Sequence, residues 1–252
     1  NHSADAIRYW SASSKLGTDT FFSTDDLSIS KRFITKLWNA SKFSIYHLQD
    51  IDLKADVKFM PVDRWIMERC RQTIMSAKNY LDKYEIGTAR HEIDDFFWKD
   101  FCDYYLEIVK ERLYQPQLHG IKERQSAQFA LYYCLLNILK LYAIYVPHIT
   151  EYIYQEFFRQ HEESLSLHTM TWESIKSVDE DIILFGEQLK DAIAKTRKYK
   201  TEHALSMKSE IEEMIITADD KYKEWFMQTF ADIKACCSAK KIIFQKADYG
   251  II

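Results

Sequence analysis

Residues 27–48 read LSISKRFITKLWNASKFSIYHL. No glycine or proline interrupts them. At 3.6 residues per turn, Leu27, Ile34, Leu37, Trp38, Ser41, Ile45 and Leu48 share one arc of roughly 100°. The opposite face collects Arg32, Thr35, Lys36, Asn39, Lys42, Phe43 and Tyr46. This predicts a long helix whose apolar stripe must be buried against other elements. Just upstream, Ser23, Thr24, Asp25 and Asp26 have the S-x-x-D spacing of a capping box.

The helical pattern extends outward from this stretch. Helices are predicted over about 4–15, 62–83, 88–113, 123–145 and 147–160, with Pro61 at a first helical position. Residues 16–22, with Gly17, read as a loop. The 252 residues hold only five glycines and three prolines, where average usage would give about thirty. Sandwiches, barrels and doubly wound sheets need more turn residues than that. Phosphate-cradling glycine loops are missing too, since neither GxxxxGK nor GxGxxG occurs. The texture changes after residue 163. A helix over 181–200 is followed by apolar runs of strand type at 211–217 and 240–245, with a helix over 219–236 between them. The expectation is a mainly α protein. A helical bundle would occupy 1–163, with 1–22 as a link, and a small α+β module would occupy 164–252. The start at Asn1, with an amphipathic helix almost at once, reads as part of a longer chain.

Composition narrows the function classes. A net charge of −4 names no partner, so any nucleic-acid contact must use a local patch. The cysteines are Cys70, Cys102, Cys134, Cys236 and Cys237. An odd number without a CxxC pair argues against a disulfide framework or a zinc ribbon and for reduced thiols in the cytoplasm. The most apolar stretch, 129–146, contains Asn137, Lys140 and four tyrosines. It reads as an interior bundle helix, not a membrane span. The histidines are not spaced as metal pairs, so no metal is expected. Glu92, Asp94, Asp95 and Asp100 alternate with Phe96, Phe97, Trp98 and Phe101, as the faces of a packed helix do.

With no constellation for bond-making chemistry, the chain reads as a binding protein. On the polar face of 27–48, cations suit phosphates, Asn39 suits base edges, and Phe43 and Tyr46 suit stacking on unpaired bases. A second basic cluster, Lys190, Lys195, Arg197, Lys198 and Lys200, lies toward the end of its helix, where cations offset the helix dipole. Lys195, Arg197, Lys198 and Lys200 are candidate phosphate contacts. A helical module binding protein through exposed aromatics is the alternative.

Several motifs carry a resemblance. Residues 4–10, ADAIRYW, resemble the G-A-D-A-L-R-x-W segment of class Ia aminoacyl-tRNA synthetases, with Ser3 in place of the glycine. Residues 36–43, KLWNASKF, resemble the valyl-type K-L-W-N-A-S-R-F helix. Residues 63–66, DRWI, 98–107, WKDFCDYYLE, and 146–155, VPHITEYIYQ, are similar to three further motifs of that type. Residues 197–211 are similar to its R-x-x-K-x-E-x-x-L-x-x-x-x-E-I stretch, which accounts for the Ser206-Met207-Lys208-Ser209 likeness to an ATP-binding loop.

The resemblance, to the anticodon-binding region of valyl-type synthetases, runs in order along nearly the whole chain. It implies a bundle that grips the anticodon stem and loop of the tRNA for valine and reads its adenine and cytosine. The implied parent activity is ligation of valine to tRNA with ATP and Mg²⁺. The catalytic and editing domains would lie outside residues 1–252, so this part binds without catalysing and holds no cofactor. A monomer without membrane contact is expected. Residue by residue, the anticodon-facing side falls on Lys31, Arg32, Lys36, Asn39, Lys42 and Phe43. Tyr46 is added from the helical wheel alone. An isoleucyl or leucyl enzyme is the nearest rival, and Trp38-Asn39-Ala40 speaks against it.

Overall fold

The computed structural model describes residues 2–13, 17, 19 and 24–247. Ser23 of the capping box, and residues 16–22 apart from Gly17 and Asp19, lie outside them. The helices are α1 (Ala4–Ser11), α2 (Thr24–Leu48), α3 (Pro61–Leu81), α4 (Ile86–Asp95), α5 (Leu106–Tyr114), α6 (Pro116–His119), α7 (Ile121–Tyr142), α8 (Pro147–Glu156), α9 (Glu180–Glu202) and α10 (Lys223–Cys237). The strands are β1 (Ile211–Ala218) and β2 (Ala239–Lys246). Among the described residues no helix is long and apolar enough to cross a membrane.

The helix expected over 88–113 is three segments, because Phe96–Tyr105 is π-helical. With i→i+5 closure, Phe96, Phe101 and Tyr105 come onto one side, and all three are fully buried. An α-helical period places Tyr104 inward instead. The wider winding leaves Tyr104 half-buried and puts Tyr105 in its place.

The chain forms two compact units. The first comprises residues 1–51, 69–102 and 131–178, the second 52–68, 103–130 and 179–252. Residues 164–178 thus group with the first, and 52–68 and 103–130 with the second.

The first unit is organised around Phe33 of α2. Tyr9 of α1 stacks on it with centroids 4.0 Å apart and planes 5° from parallel. Tyr142 lies 4.7 Å away, and Phe97 meets it edge-on at 6.0 Å. The Tyr9 and Tyr142 hydroxyls both donate to Asp94 Oδ1, at 2.7 and 2.8 Å. Arg90 pairs with the other oxygen at 3.4 Å and lies over the Tyr9 ring. Burial raises the Asp94 pKa, while Arg90 and the two hydroxyls oppose that rise. Asp5 is buried and accepts from the backbone N–H groups of His148 and Ile149, at 3.3 and 2.8 Å. It caps α8, which makes no side-chain cap of its own.

The buried face of α2 is turned from the expected one. Leu27, Leu37, Ser41 and Leu48 are buried, as the wheel predicts. Ile34 and Ile45 are only half-buried, and Trp38 is 39% exposed. Ser30, Phe33, Ala40, Ser44 and His47 are buried instead. Small residues allow neighbours to come close, and a buried serine can satisfy its hydroxyl on its own helix. Ser30 donates to Asp26 O at 3.1 Å and Ser44 to Ala40 O at 2.9 Å. Hydrophobicity alone does not register such positions.

The second unit holds a βαβ crossover. β1 and β2 run parallel, from Ile211 opposite Ala239 to Ala218 opposite Lys246, with α10 as the connection. Parallel neighbours require such a crossover. Arg112 of α5, 1% exposed, donates to both oxygens of Asp63, at 2.8 and 3.0 Å, and to Glu123 O at 2.8 Å. Its Nε stands 3.2 Å from Asp232 of α10. Tyr105 donates to Asp63 at 2.8 Å, and the Ser126 hydroxyl also donates to it while accepting from Met60 N–H at 2.8 Å. The fully buried Trp65 packs on Gly186 of α9.

Two outcomes follow from this packing. A Cβ at Gly186 would fall inside the Trp65 indole. Glycine to alanine within a helix normally stabilises by about 1 kcal/mol. Here Gly186→Ala should destabilise by about 1–3 kcal/mol through overpacking, measured by denaturant unfolding. Burial, partly offset by Arg112 and reinforced by Asp63, pushes the Asp232 pKa from 3.8 up to about 6. A raised folded-state value means stability is fully present below the unfolded pKa and is lost as pH rises through about 6. Unfolding free energies between pH 4 and 6 should therefore fall with pH, and Asp232→Asn should flatten that slope.

Candidate nucleic-acid interface

Lys31, Arg32, Lys36, Asn39, Lys42, Phe43 and Tyr46 all come from α2. At a rise of 1.5 Å per residue they span roughly 22 Å along the helix. None is buried. Lys31, Arg32, Asn39, Lys42 and Tyr46 are exposed, Tyr46 at 68%, while Lys36 and Phe43 are half-buried. The face is exposed because the opposite one carries Phe33, Leu37 and the small residues that seat α2 in the first unit.

Three side chains on this face are positioned by aromatic contacts. The Lys36 ammonium lies 5.2 Å from the centroid of the Trp98 ring. Phe43 and Tyr46 both meet the ring of buried His47 at steep angles, at 4.8 and 5.0 Å. The two rings therefore stand on a fixed support, which lowers the ordering cost of stacking a base on them. Among the described residues, Lys31, Arg32 and Lys42 have no carboxylate at ion-pair distance. Their charge remains available to an anion from outside.

Two residues of this surface escaped the sequence reading. Trp38 and Tyr152 of α8, the latter 52% exposed, form a tilted ring pair with centroids 5.9 Å apart. Trp38 sits at the margin of the predicted apolar arc, and Lys31, Thr35, Trp38 and Lys42 follow one another at helical spacing. That margin position was the available signal. Tyr152 offered none.

The second basic cluster does not form one surface. Lys200 is 2% exposed and donates to the carbonyls of Met207 and Cys237, at 2.7 and 2.8 Å. It is an internal brace in the second unit, which corrects its placement among candidate phosphate contacts. A basic run at a helix end cannot reveal which cation points inward. Arg197 is half-buried, donating to Asp103 O at 3.0 Å and lying 4.9 Å from the centroid of Tyr104. Lys195 and Lys198 are exposed but are matched by Asp191 and Glu202 on their own helix, at 2.6 and 3.8 Å. Lys190 pairs with Glu187 at 2.8 Å and leans over Trp65.

The carboxylates and hydroxyls that elsewhere could suggest catalysis are packed against one another, as at Asp94 and Asp63. Among the described residues no three His, Cys, Asp or Glu side chains are placed to hold a metal ion. What the surface of α2 offers is a row of cations, an amide and aromatic rings, a set suited to a flexible polyanion with unstacked bases.

The chain belongs to the family described as the anticodon-binding domain of tRNA ligase, which matches residues 63–216. More particularly, it is similar to enzymes named valine–tRNA ligase. It is 35% identical to that of Ehrlichia canis (strain Jake) over 96% of the chain and 30% of the relative. It is 34% identical to that of Wolbachia pipientis wMel, over 98% and 28%, and 32% identical to that of Pyrococcus horikoshii, over 88% and 25%. The chain thus spans only 25–30% of the length of these relatives. The family match starts at Asp63, beyond α2, but the first two alignments leave out too little of the chain to omit α2. A LeuRS–tRNA–LeuAMS ternary complex of Agrobacterium radiobacter gives a TM-score of 0.44 at 13% identity, covering 71% of this chain and 20% of that one. That likeness is too slight to argue from.

The two lysine environments separate by substitution. Lys200→Ala removes a buried donor from two carbonyls and should cost about 1–3 kcal/mol. Lys195→Ala should stay within about 0.5 kcal/mol. Thermal denaturation of both variants checks this.

Proposed function

We propose that this chain is the anticodon-binding part of a valine–tRNA ligase. It holds the anticodon stem and loop of the tRNA for valine without taking part in bond making. The observation that carries the reading is the exposed face of α2. There Lys31, Arg32 and Lys42 have no carboxylate partner among the described residues, and Phe43 and Tyr46 rest on His47. Similarity to valine–tRNA ligases along nearly the whole chain supports the choice of tRNA.

In this reading Lys31, Arg32 and Lys42 meet backbone phosphates, with Lys36 held nearer the surface by Trp98. Asn39 donates to and accepts from a base edge. Phe43 or Tyr46 stacks on an unpaired base, an interaction usually worth about 1–3 kcal/mol per base. Lys195 and Lys198 remain candidates for weaker phosphate contacts, since an incoming phosphate must compete with Asp191 and Glu202. The parent enzyme would join valine to its tRNA using ATP and Mg²⁺, bound outside this chain. It would act in the cytoplasm as a monomer, and this part of it would hold no cofactor.

Binding to an anticodon stem-loop of the tRNA for valine, at two salt concentrations, tests the reading. A hairpin with the middle anticodon base changed serves as control. The chain should prefer the first hairpin, and affinity should fall as salt rises. In the double variant Arg32→Ala/Lys42→Ala, each phosphate left without its cation should take roughly 0.7–0.9 off the slope of log affinity against log salt. Equal, salt-insensitive binding of both hairpins, or an unchanged slope in the variant, would rule this face out. Preference for an isoleucine or leucine tRNA in competition would overturn the valine assignment alone.

A further inference from the structure

The end of α10 carries two adjacent thiols that the binding function does not use. Cys236 is half-buried and Cys237 buried. Together with Glu107, Thr196, Arg197, Lys200 and Met207 they line a cavity of about 280 Å³. The positions are tightly determined. Ser238, in the left-handed region at φ 52°, ends the helix, and the Lys200 ammonium holds the Cys237 carbonyl at 2.8 Å. Arg197 is clamped between Tyr104 and the Asp103 carbonyl, and it lines the same cavity as Cys236.

We propose that Cys236 is a thiol–disulfide exchange site, which takes up the thiol half of an anionic low-molecular-weight disulfide in the cavity it shares with Cys237 and Arg197. Three features of the site support this. Cys237 and Arg197 are the neighbours of Cys236 in the cavity wall, and Arg197 brings a positive charge. These neighbours hold the Cys236 pKa below the ordinary thiol value against the opposing effects of burial and Glu107. The same arrangement pushes the Cys237 pKa up, so one thiol of the pair ionises and the other assists it. The charged groups facing the pair are Arg197 and Lys200 from α9 and Glu107 from α5, two cations against one anion. That balance favours an anionic partner. In contrast, Cys70, Cys102 and Cys134 are buried in the bundle.

The chemistry balances with the disulfide as oxidant. The Cys236 thiolate attacks one sulfur of R–S–S–R. That S–S bond breaks as the Cys236–S–S–R bond forms. The displaced RS⁻ takes a proton from water and leaves as RSH, so one thiol is oxidised for each thiol released.

Glutathione disulfide is the probe. The folded chain would be incubated with it across a pH range, and adducts located by mass spectrometry of peptides. The expected result is a single glutathionyl group on Cys236, formed roughly threefold or more faster than on the same residue in the urea-unfolded chain at pH 7. Its rate-against-pH midpoint should lie below the ordinary thiol value of about 8.5. Arg197→Gln should move that midpoint upward, and Cys236→Ser should abolish the adduct. Adducts spread over several cysteines, or a Cys236 no faster than in the unfolded chain, would overturn the proposal. So would a midpoint that Arg197→Gln leaves unmoved. The folded-against-unfolded comparison uses the unmodified sequence and decides the matter even if a variant does not fold.

Discussion

A guanidinium taken fully out of water must be neutralised and hydrogen-bonded where it lies, and Arg112 is in that position. An isolated ion in its place would cost several kcal/mol. Asp63 answers it with both oxygens, Asp232 approaches its Nε, and the Glu123 carbonyl takes a further hydrogen. Arg112 and these partners come from four separate stretches of chain. Asp63 is in turn satisfied by Tyr105 and Ser126. The second unit therefore has few ways to fold other than the one that brings α3, α5, α7 and α10 to a single point. The first unit repeats the logic more mildly. Asp94 is held by Arg90 and two tyrosine hydroxyls, and Asp100 by Arg69 at 2.8 Å.

With its polar groups satisfied inside the bundle, the first unit leaves one face of α2 exposed. Phe33 and a line of small residues settle the helix inward, and the cations lie on the opposite face. Asp5 acts similarly at a distance. By capping α8 it positions the helix that carries Tyr152 beside Trp38. The aromatic part of the surface thus depends on a carboxylate that never touches solvent freely. Lys200 shows the reverse case, a cation given up to structure because two carbonyls at the end of α10 and in the 207 loop need a donor.

Much of this was legible in the residues. Long glycine-free stretches at helical period can only be helices, and scarce turn residues exclude larger sheets. The apolar runs around 214 and 242 read as strands because they are too short for helices. The cation and aromatic positions of α2 other than Lys31 followed from the period alone, Lys31 came from the resemblance, and motifs such as DRWI led to a family to which the chain belongs. The misreadings share one cause, that periodicity weighs side chains by type. Buried Ser44 and His47 are polar by type, so the wheel placed the core roughly 60° away around the helix. Tyr104 and Tyr105 are alike by type, and only the π-helical winding chooses between them.

The sequence by itself determined the helical class, the strand–helix–strand order near the end of the chain, and which face of residues 27–48 was too polar to bury. Those features rest on local periods and on the solvation cost of charge, both of which are properties of neighbouring residues in the chain. Only the tertiary structure decided that the two strands pair in parallel, which cations of 190–200 serve the interior, that Trp38 meets Tyr152, and that Arg197 and Cys236 line one cavity. Each of these joins groups distant in sequence or turns on a small rotation of a helix. Such outcomes depend on how volumes pack and on which buried donor meets which acceptor, and no single stretch of sequence carries that information.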